Sequence, residues 1–135
     1  MVVDTSAAFA VLANEEDADV FKHALESAPN RVMSAMTELE LRVAVIRRFG
    51  PADAFRVDTF LRIAQIDVVP FDAGAAKGAA AAYARWGRTF HPAGLNYGDC
   101  ASYALAQTLN EPLLFKGCNF SKTDIKIALE RPGDE

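Results

Sequence analysis

A chain of 135 residues with 51% hydrophobic and 24% charged residues has the size and apolar content of one domain, residues 1–135, and excludes both a two-domain arrangement and a disordered one. Its formal net charge of −4 is the wrong sign for gripping phosphates over a broad surface, so any nucleic-acid role requires a local basic patch. The start Met1-Val2-Val3-Asp4 has neither the basic nor the apolar region of a secretion signal, and no apolar run approaches the roughly 20 residues of a membrane span. The expectation is a cytoplasmic protein without a membrane partner, in which Cys100 and Cys118, lacking CxxC spacing, form neither a disulfide nor a zinc site and serve structural roles.

Met1 to Asp4 reads as a short strand ending on an acid, with Thr5 and Ser6 as caps for a helix that carries Phe9, Val11 and Leu12 inward. A second helix is expected from about Glu15 to Ser27, with acids near its start and Pro29-Asn30 as its stop, followed by a short strand from Arg31 to Ser34. Met36 to Phe49 is rich in helix formers and closes on Gly50, after which Pro51 opens another helix reaching about Ala64. Ile66 to Pro70 is β-branched and strand-like, and Ala75 to Trp86 is Ala-rich and helical. Gly87 to Asn96, punctuated by Gly87, Pro92 and Gly94, reads as the functional loop. A helix from Tyr97 to Leu109, a strand from Pro112 to Phe115, a polar loop from Lys116 to Asp124 and a last short strand from Ile125 to Leu129 complete the pattern, with a frayed tail from Arg131. Short strands alternating with helices predict an α/β sandwich, a short parallel sheet flanked by helices on both faces. In such folds ligands bind beyond the carboxyl ends of the strands, so acids placed there carry most of the functional information.

Three acids stand out, each with a plain structural reading beside the functional one. Asp4 falls where the first strand ends, and it also suits a turn or a helix cap. In the helix from Met36, a turn of about 100° per residue places Met36, Leu39, Val43 and Ile46 on one apolar stripe with Glu40 at its border, whereas Glu38 faces away and pairs with Arg42 four residues on. Asp99 follows Asn96 at the spacing of a capping box. If the three converge, they suit a hard divalent cation such as Mg2+, which takes carboxylate oxygens and waters. Without one, like-charge repulsion would raise their pKa values. His91, beside Pro92, reads as a hydrogen-bonding loop residue, since no nucleophile motif accompanies it.

Four segments, VVDTSAAFAVL at 2–12, SAMTELELRVAV at 34–45, HPAGLNYGDCASYALA at 91–106 and PLLFKGCNFSKTDI at 112–125, together resemble the PIN-domain ribonuclease toxins of the VapC family. The resemblance implies a usually dimeric PIN-like sandwich in which Asp4, Glu40 and Asp99 hold Mg2+ or Mn2+ and hydrolyse RNA, often tRNA. It further implies a cognate VapB-like antitoxin that inserts a segment into the site, and it places Thr5 and Ser6 beside the first acid. Arg88, Lys116, Lys122 and Arg42 are the candidates for the basic patch that RNA requires. The chain departs from the family where Asn119 stands in place of an acid before Phe120, a fourth metal position where an amide keeps one acceptor oxygen and loses the charge. Weaker metal affinity and impaired cleavage are the expected consequences, with Asp124 as a partial substitute or a cap. The rival reading is an inactive PIN-fold module that binds its antitoxin alone.

Overall fold

The computed structural model describes residues 1–130. Its four strands, β1 (Val2–Val3), β2 (Val32–Ser34), β3 (Asp67–Val69) and β4 (Leu113–Leu114), form one parallel sheet in the order β3-β2-β1-β4. Val2 pairs with both Val32 and Leu113, which puts β1 in the interior of the sheet with its carboxyl end between those of β2 and β4. Six helices connect the strands: α1 (Thr5–Leu12), α2 (Ala18–Ser27), α3 (Ala35–Phe49), α4 (Phe55–Ile63), α5 (Ala73–Trp86) and α6 (Tyr97–Leu109).

The period-two alternation of strand side chains separates two cores. Val3 and Leu114 pack with Phe21 of α2, Leu41 and Val45 of α3 and Val57 of α4 on one face, while Val2 and Leu113 pack with Trp86 of α5 and Tyr103 of α6 on the other. Because both faces are covered there, β1 and β4 are wholly apolar and buried, whereas β3 at the sheet edge starts on Asp67 and is largely exposed; each fully buried Val or Leu contributes about 1.5–3 kcal/mol. This is the expected α/β sandwich. No helix among the described residues is long and apolar enough to cross a membrane.

Several boundaries and one helix phase differ from expectation. Asp4 itself, rather than Thr5 or Ser6, caps α1, its Oδ2 accepting from the Ser6 amide at 3.1 Å. The residues α1 buries most deeply are Ala7, Ala8 and Ala10, with Phe9, Val11 and Leu12 only half-buried. On α3 the inward stripe is Thr37, Leu41 and Val45, and Leu39, Val43 and Ile46 lie exposed. The stripe drawn from hydrophobicity alone missed this because Thr37, a polar residue, is accepted inside by a buried hydroxyl partner, Ser102 at 3.1 Å. No strand forms at 125–129, where a single bridge joins Ile127 to Leu113 at the sheet edge. The expected frayed tail lies outside the described residues. Cys100 is buried and Cys118 exposed, so only the first has a structural place, and both are free thiols.

Candidate metal centre

The loops at the carboxyl end of the sheet bring the three acids into one pocket. Asp4 leaves β1 and caps α1, Glu40 sits in the second turn of α3 after β2, and Asp99 sits in the first turn of α6. All three line a depression shared with Thr5, Ser6 and Lys116. Asp99 satisfies its plain reading at the same time, since it closes a capping box in which its Oδ2 accepts from the Asn96 amide at 3.0 Å while Asn96 accepts from the Asp99 amide at 2.9 Å. A cap uses one carboxylate oxygen and leaves the other for the pocket.

The hydrogen bonds that aim the acids come mostly from hydroxyls. Asp4 is 4% exposed. Its Oδ1 accepts from Ser102 Oγ at 2.6 Å and its Oδ2 from Ser6 Oγ at 2.7 Å. Ser102 is in turn bonded to Thr37 Oγ1, so a chain of buried hydroxyls runs from α3 through α6 to the end of β1. Glu40 Oε1 accepts from Thr5 Oγ1 at 3.0 Å. The Glu40 carboxylate lies against Gly98, where an added Cβ would come within 1.9 Å of its Oε2. Glycine at the second position of α6 is therefore what allows the acid of one helix to reach the start of another.

Burial and mutual repulsion show in the titration of two of the acids. Glu40 is pushed up to about 7, first by burial and then by the charges of Asp4 and Asp99, against the opposing bond from Thr5. Asp99 is pushed up to about 6, again first by burial, with Asp4 raising it further and the Asn96 amide and Arg88 opposing the shift. Among the described residues no three His, Cys, Asp or Glu side chains form a ready-made metal cage. The donor set fits a cation such as Mg2+: hard oxygens, one or more still open, around negative charge that lacks compensation.

The other expected residues divide. Thr5 and Ser6 belong to the pocket as supports of the acids, Ser6 Oγ also accepting from the Lys116 amide at 2.9 Å. Lys116 lines the pocket, but its ammonium is held by Asp17 at 3.1 Å and Glu15 at 3.4 Å rather than left free for phosphate. Arg88 is exposed and close enough to Asp99 to lower its pKa. Arg42 is taken by Asp58 at 2.7 Å and Glu38 at 3.4 Å on the flank of α3. Lys122 is exposed and does not line the pocket. Asn119, exposed at the start of a short 3-10 turn, is not brought to the pocket lining. Asp124 is neither substitute nor cap, since it accepts from the Tyr103 hydroxyl and pairs with Arg85. His91 is the loop residue expected, its Nδ1 accepting from the Ala93 amide at 3.0 Å. Ser102, Thr37 and Gly98 are the positions in contact with the acids, or with their supports, that sequence reasoning missed. The spacing of Ser102, three residues after Asp99 and therefore near it on the helix surface, was the one signal available.

Residues 1–126 match the PIN domain family. The chain is 45% identical over 125 residues to a protein of Mycolicibacterium smegmatis named Ribonuclease VapC, covering 93% of this chain and 97% of that one. The fold superposes on Mycobacterium tuberculosis VapC20, described as a toxin that cleaves the sarcin-ricin loop, with a TM-score of 0.77 at 18% identity over 96% of this chain and 98% of that one. It also superposes on VapBC2 of Rickettsia felis bound to a promoter DNA fragment, with a TM-score of 0.68 at 14% identity over 93% of this chain and 94% of the other. With an acid pocket at the carboxyl end of a parallel sheet, and with identity of this extent along nearly its whole length, the chain belongs to the PIN-domain family, among its VapC members.

Proposed function

We propose that this protein is an endoribonuclease toxin that hydrolyses RNA phosphodiester bonds with a divalent cation, Mg2+ or Mn2+, held by Asp4, Glu40 and Asp99. The observation that carries the reading is the meeting of these three carboxylates in one pocket, each fixed by a donor from its own surroundings. When bound, the cation supplies activation of water and neutralises the charge that develops on phosphorus. Thr5 orients the Glu40 carboxylate, Ser6 and Ser102 fix the two oxygens of Asp4, and the Asn96 amide fixes Asp99. Arg88 offers a charge-assisted contact to a backbone phosphate beside the pocket.

The relatives named VapC ribonucleases support the reaction, and the VapBC assembly supports a VapB-like antitoxin as partner. The free thiols Cys100 and Cys118 support a reducing, cytoplasmic setting. The exposed Leu39, Val43 and Ile46 on α3 supply an apolar face for a homodimer. The rival reading, a module that only binds antitoxin, rested on Asn119, and a position outside the pocket lining gives it little weight.

The test is cleavage of a structured RNA by purified protein with and without Mg2+ or Mn2+, followed by Asp4→Asn, a substitution that keeps the helix cap. Cleavage only with the metal, abolished in the variant, is the expected result. Equal rates in chelator sink the metal-dependent reading, and antitoxin binding with no cleavage of any RNA under either metal establishes the rival.

A further inference from the structure

Two large rings stand in solvent on the loop and helix start that lead to Asp99. Phe90 is 66% exposed and Tyr97 78% exposed, although a core of small Ala side chains on α5 and α6 lies close by. Both rings gather around Tyr83 of α5, Phe90 in a T-shaped contact at 6.2 Å and Tyr97 tilted at 6.3 Å. Neither contact is a face-to-face stack, and with this exposure each ring keeps at least one face open to solvent.

The support beneath them is closely tied. Gly87 leaves α5 so close to Tyr83 that an added Cβ would lie 2.4 Å from its carbonyl oxygen. The amides of Phe90 and His91 both donate to the Gly87 carbonyl at 2.9 Å, Gly87 and Leu95 are joined by a bridge, and Ala93 and Leu95 are fully buried as plugs of the loop. Tyr83 hydroxyl and Thr89 Oγ1, 3.2 Å apart, tie the turn to the helix. A loop that merely connected α5 to α6 would not need this anchoring to hold an apolar ring in water.

Position and charge identify what the rings are for. Tyr97 is followed directly by Gly98, which touches the Glu40 carboxylate, and by Asp99, so the platform begins one residue from the candidate metal centre. Arg88, in the same loop, is exposed and within electrostatic reach of Asp99. Exposed aromatic faces with a guanidinium beside them are the chemistry that receives an unpaired nucleobase and its phosphate.

We infer that Phe90 and Tyr97, buttressed by Tyr83 and flanked by Arg88, form a stacking platform for an unpaired RNA base next to the scissile phosphate. The inference rests on the nuclease reading above and adds to it the residues that receive the base beside the cut. A second copy of the chain is the other candidate for these rings. The aliphatic face of α3, which carries no aromatic ring and lies on another helix, serves self-association better.

The experiment uses the full chain and a hairpin RNA that the parent protein cleaves with Mg2+, with abasic nucleotides placed singly on either side of the cut. Phe90→Ala and Tyr97→Ala remove exposed rings and leave the fold intact, checked by circular dichroism. Each is expected to raise KM about tenfold, in line with the loss of one base–aromatic stack. One abasic position is expected to raise the parent's KM by a similar factor and to add little in the variants, which ties the rings to that base. Unchanged KM in both variants, or losses that simply multiply at every abasic position, overturn the platform while the nuclease reading stands. Sedimentation equilibrium in parallel reads the alternative: a KM effect that appears only together with loss of self-association assigns the rings to a second copy and overturns the inference. No cleavage by the parent under either metal overturns the nuclease reading and the platform with it.

Discussion

The two halves of the acid pocket solve the same problem differently. Asp4, at the bottom, is almost wholly buried and surrounded by donors, with Ser102 on one oxygen and the hydroxyl and amide of Ser6 on the other. Glu40 and Asp99, nearer the rim, have fewer, a hydroxyl from Thr5 and an amide from Asn96, and both are pushed well above the usual carboxylate range. A buried charge is tolerated in proportion to the hydrogen bonds it receives, and what the protein does not supply is left for a cation. The deep acid is held by the fold, and the rim acids are left short of donors.

Removing a donor from the deep half should have the largest effect. Ser102→Ala strips the 2.6 Å bond from Asp4 Oδ1 and leaves Thr37 Oγ1 without its buried partner. The expected cost is about 1–3 kcal/mol of stability for a buried group left unsatisfied. Mg2+ affinity by calorimetry should fall by about 10- to 100-fold, the usual effect of losing a supporting bond to a ligand. If Ser102→Ala binds Mg2+ as the parent does, Asp4 is not oriented from α6 and the contrast between the two halves collapses. Gly98→Ala tests the rim instead. Its methyl would overlap the Glu40 carboxylate, which is a flexible side chain and gives way, so the helix survives while Glu40 is displaced. A loss in Mg2+ affinity of about tenfold with little change in thermal midpoint is expected, the opposite balance to Ser102→Ala.

The rim should also announce itself in pH dependence. Glu40 rises from an ordinary value of 4.5 to about 7 on folding, so between those values the folded metal-free protein holds a proton that the unfolded chain has released. Stability contributed by that proton is complete below pH 4.5 and is lost as pH climbs through 7, and Asp99 adds the same trend up to about pH 6. Thermal midpoints of metal-free protein should therefore decline over this window more steeply in the parent than in Glu40→Gln. Saturating Mg2+ should raise the parent's midpoint at pH 8 and hardly at pH 5, because protons and cation compete for the same oxygens. Parallel curves for parent and variant would show that Glu40 does not carry the shift.

How far this contrast was readable beforehand depends on what each residue's type encodes. The alternation of strands and helices, the parallel sheet and the helix expected from Met36 to Phe49 follow from local propensity and punctuation, with Gly50, at φ +96°, as stop; the cap at Ser34 did not. Asp4, Glu40 and Asp99 were nameable because acids at strand and helix ends are conspicuous and because their segments resemble a family. The hydroxyl chain was not, since Ser and Thr occur everywhere and only a contact spanning 98 residues of sequence gives Ser102 its role. The same blindness misphased α3: a pattern that counts Thr as polar turns Leu39 and Val43 inward, whereas the buried bond to Ser102 pays for Thr37 inside and leaves those apolar residues at the surface. Lys116 misled in the other direction, since two acids far away in sequence, Glu15 and Asp17, claim its charge.

The smallest effect is expected at Asn119, where the family resemblance and the geometry pull apart. The resemblance makes it the fourth ligand position, and restoring an acid there should then strengthen the site. The structure instead places Asn119 in solvent at the start of the turn that carries Phe120 into the core, with the turn held by the Asn119 carbonyl accepting from Lys122 rather than by its side chain. A carboxylate at an exposed position outside the pocket acts on the cation only through water and salt, which weaken it strongly beyond about 10 Å. Asn119→Asp should therefore leave stability within about 0.5 kcal/mol and Mg2+ affinity within about twofold of the parent. Affinity at least tenfold tighter would bring the 116–120 loop into the metal site and make the rim a three-acid cluster rather than a pair, with Asp4 still the one acid that the fold holds unaided.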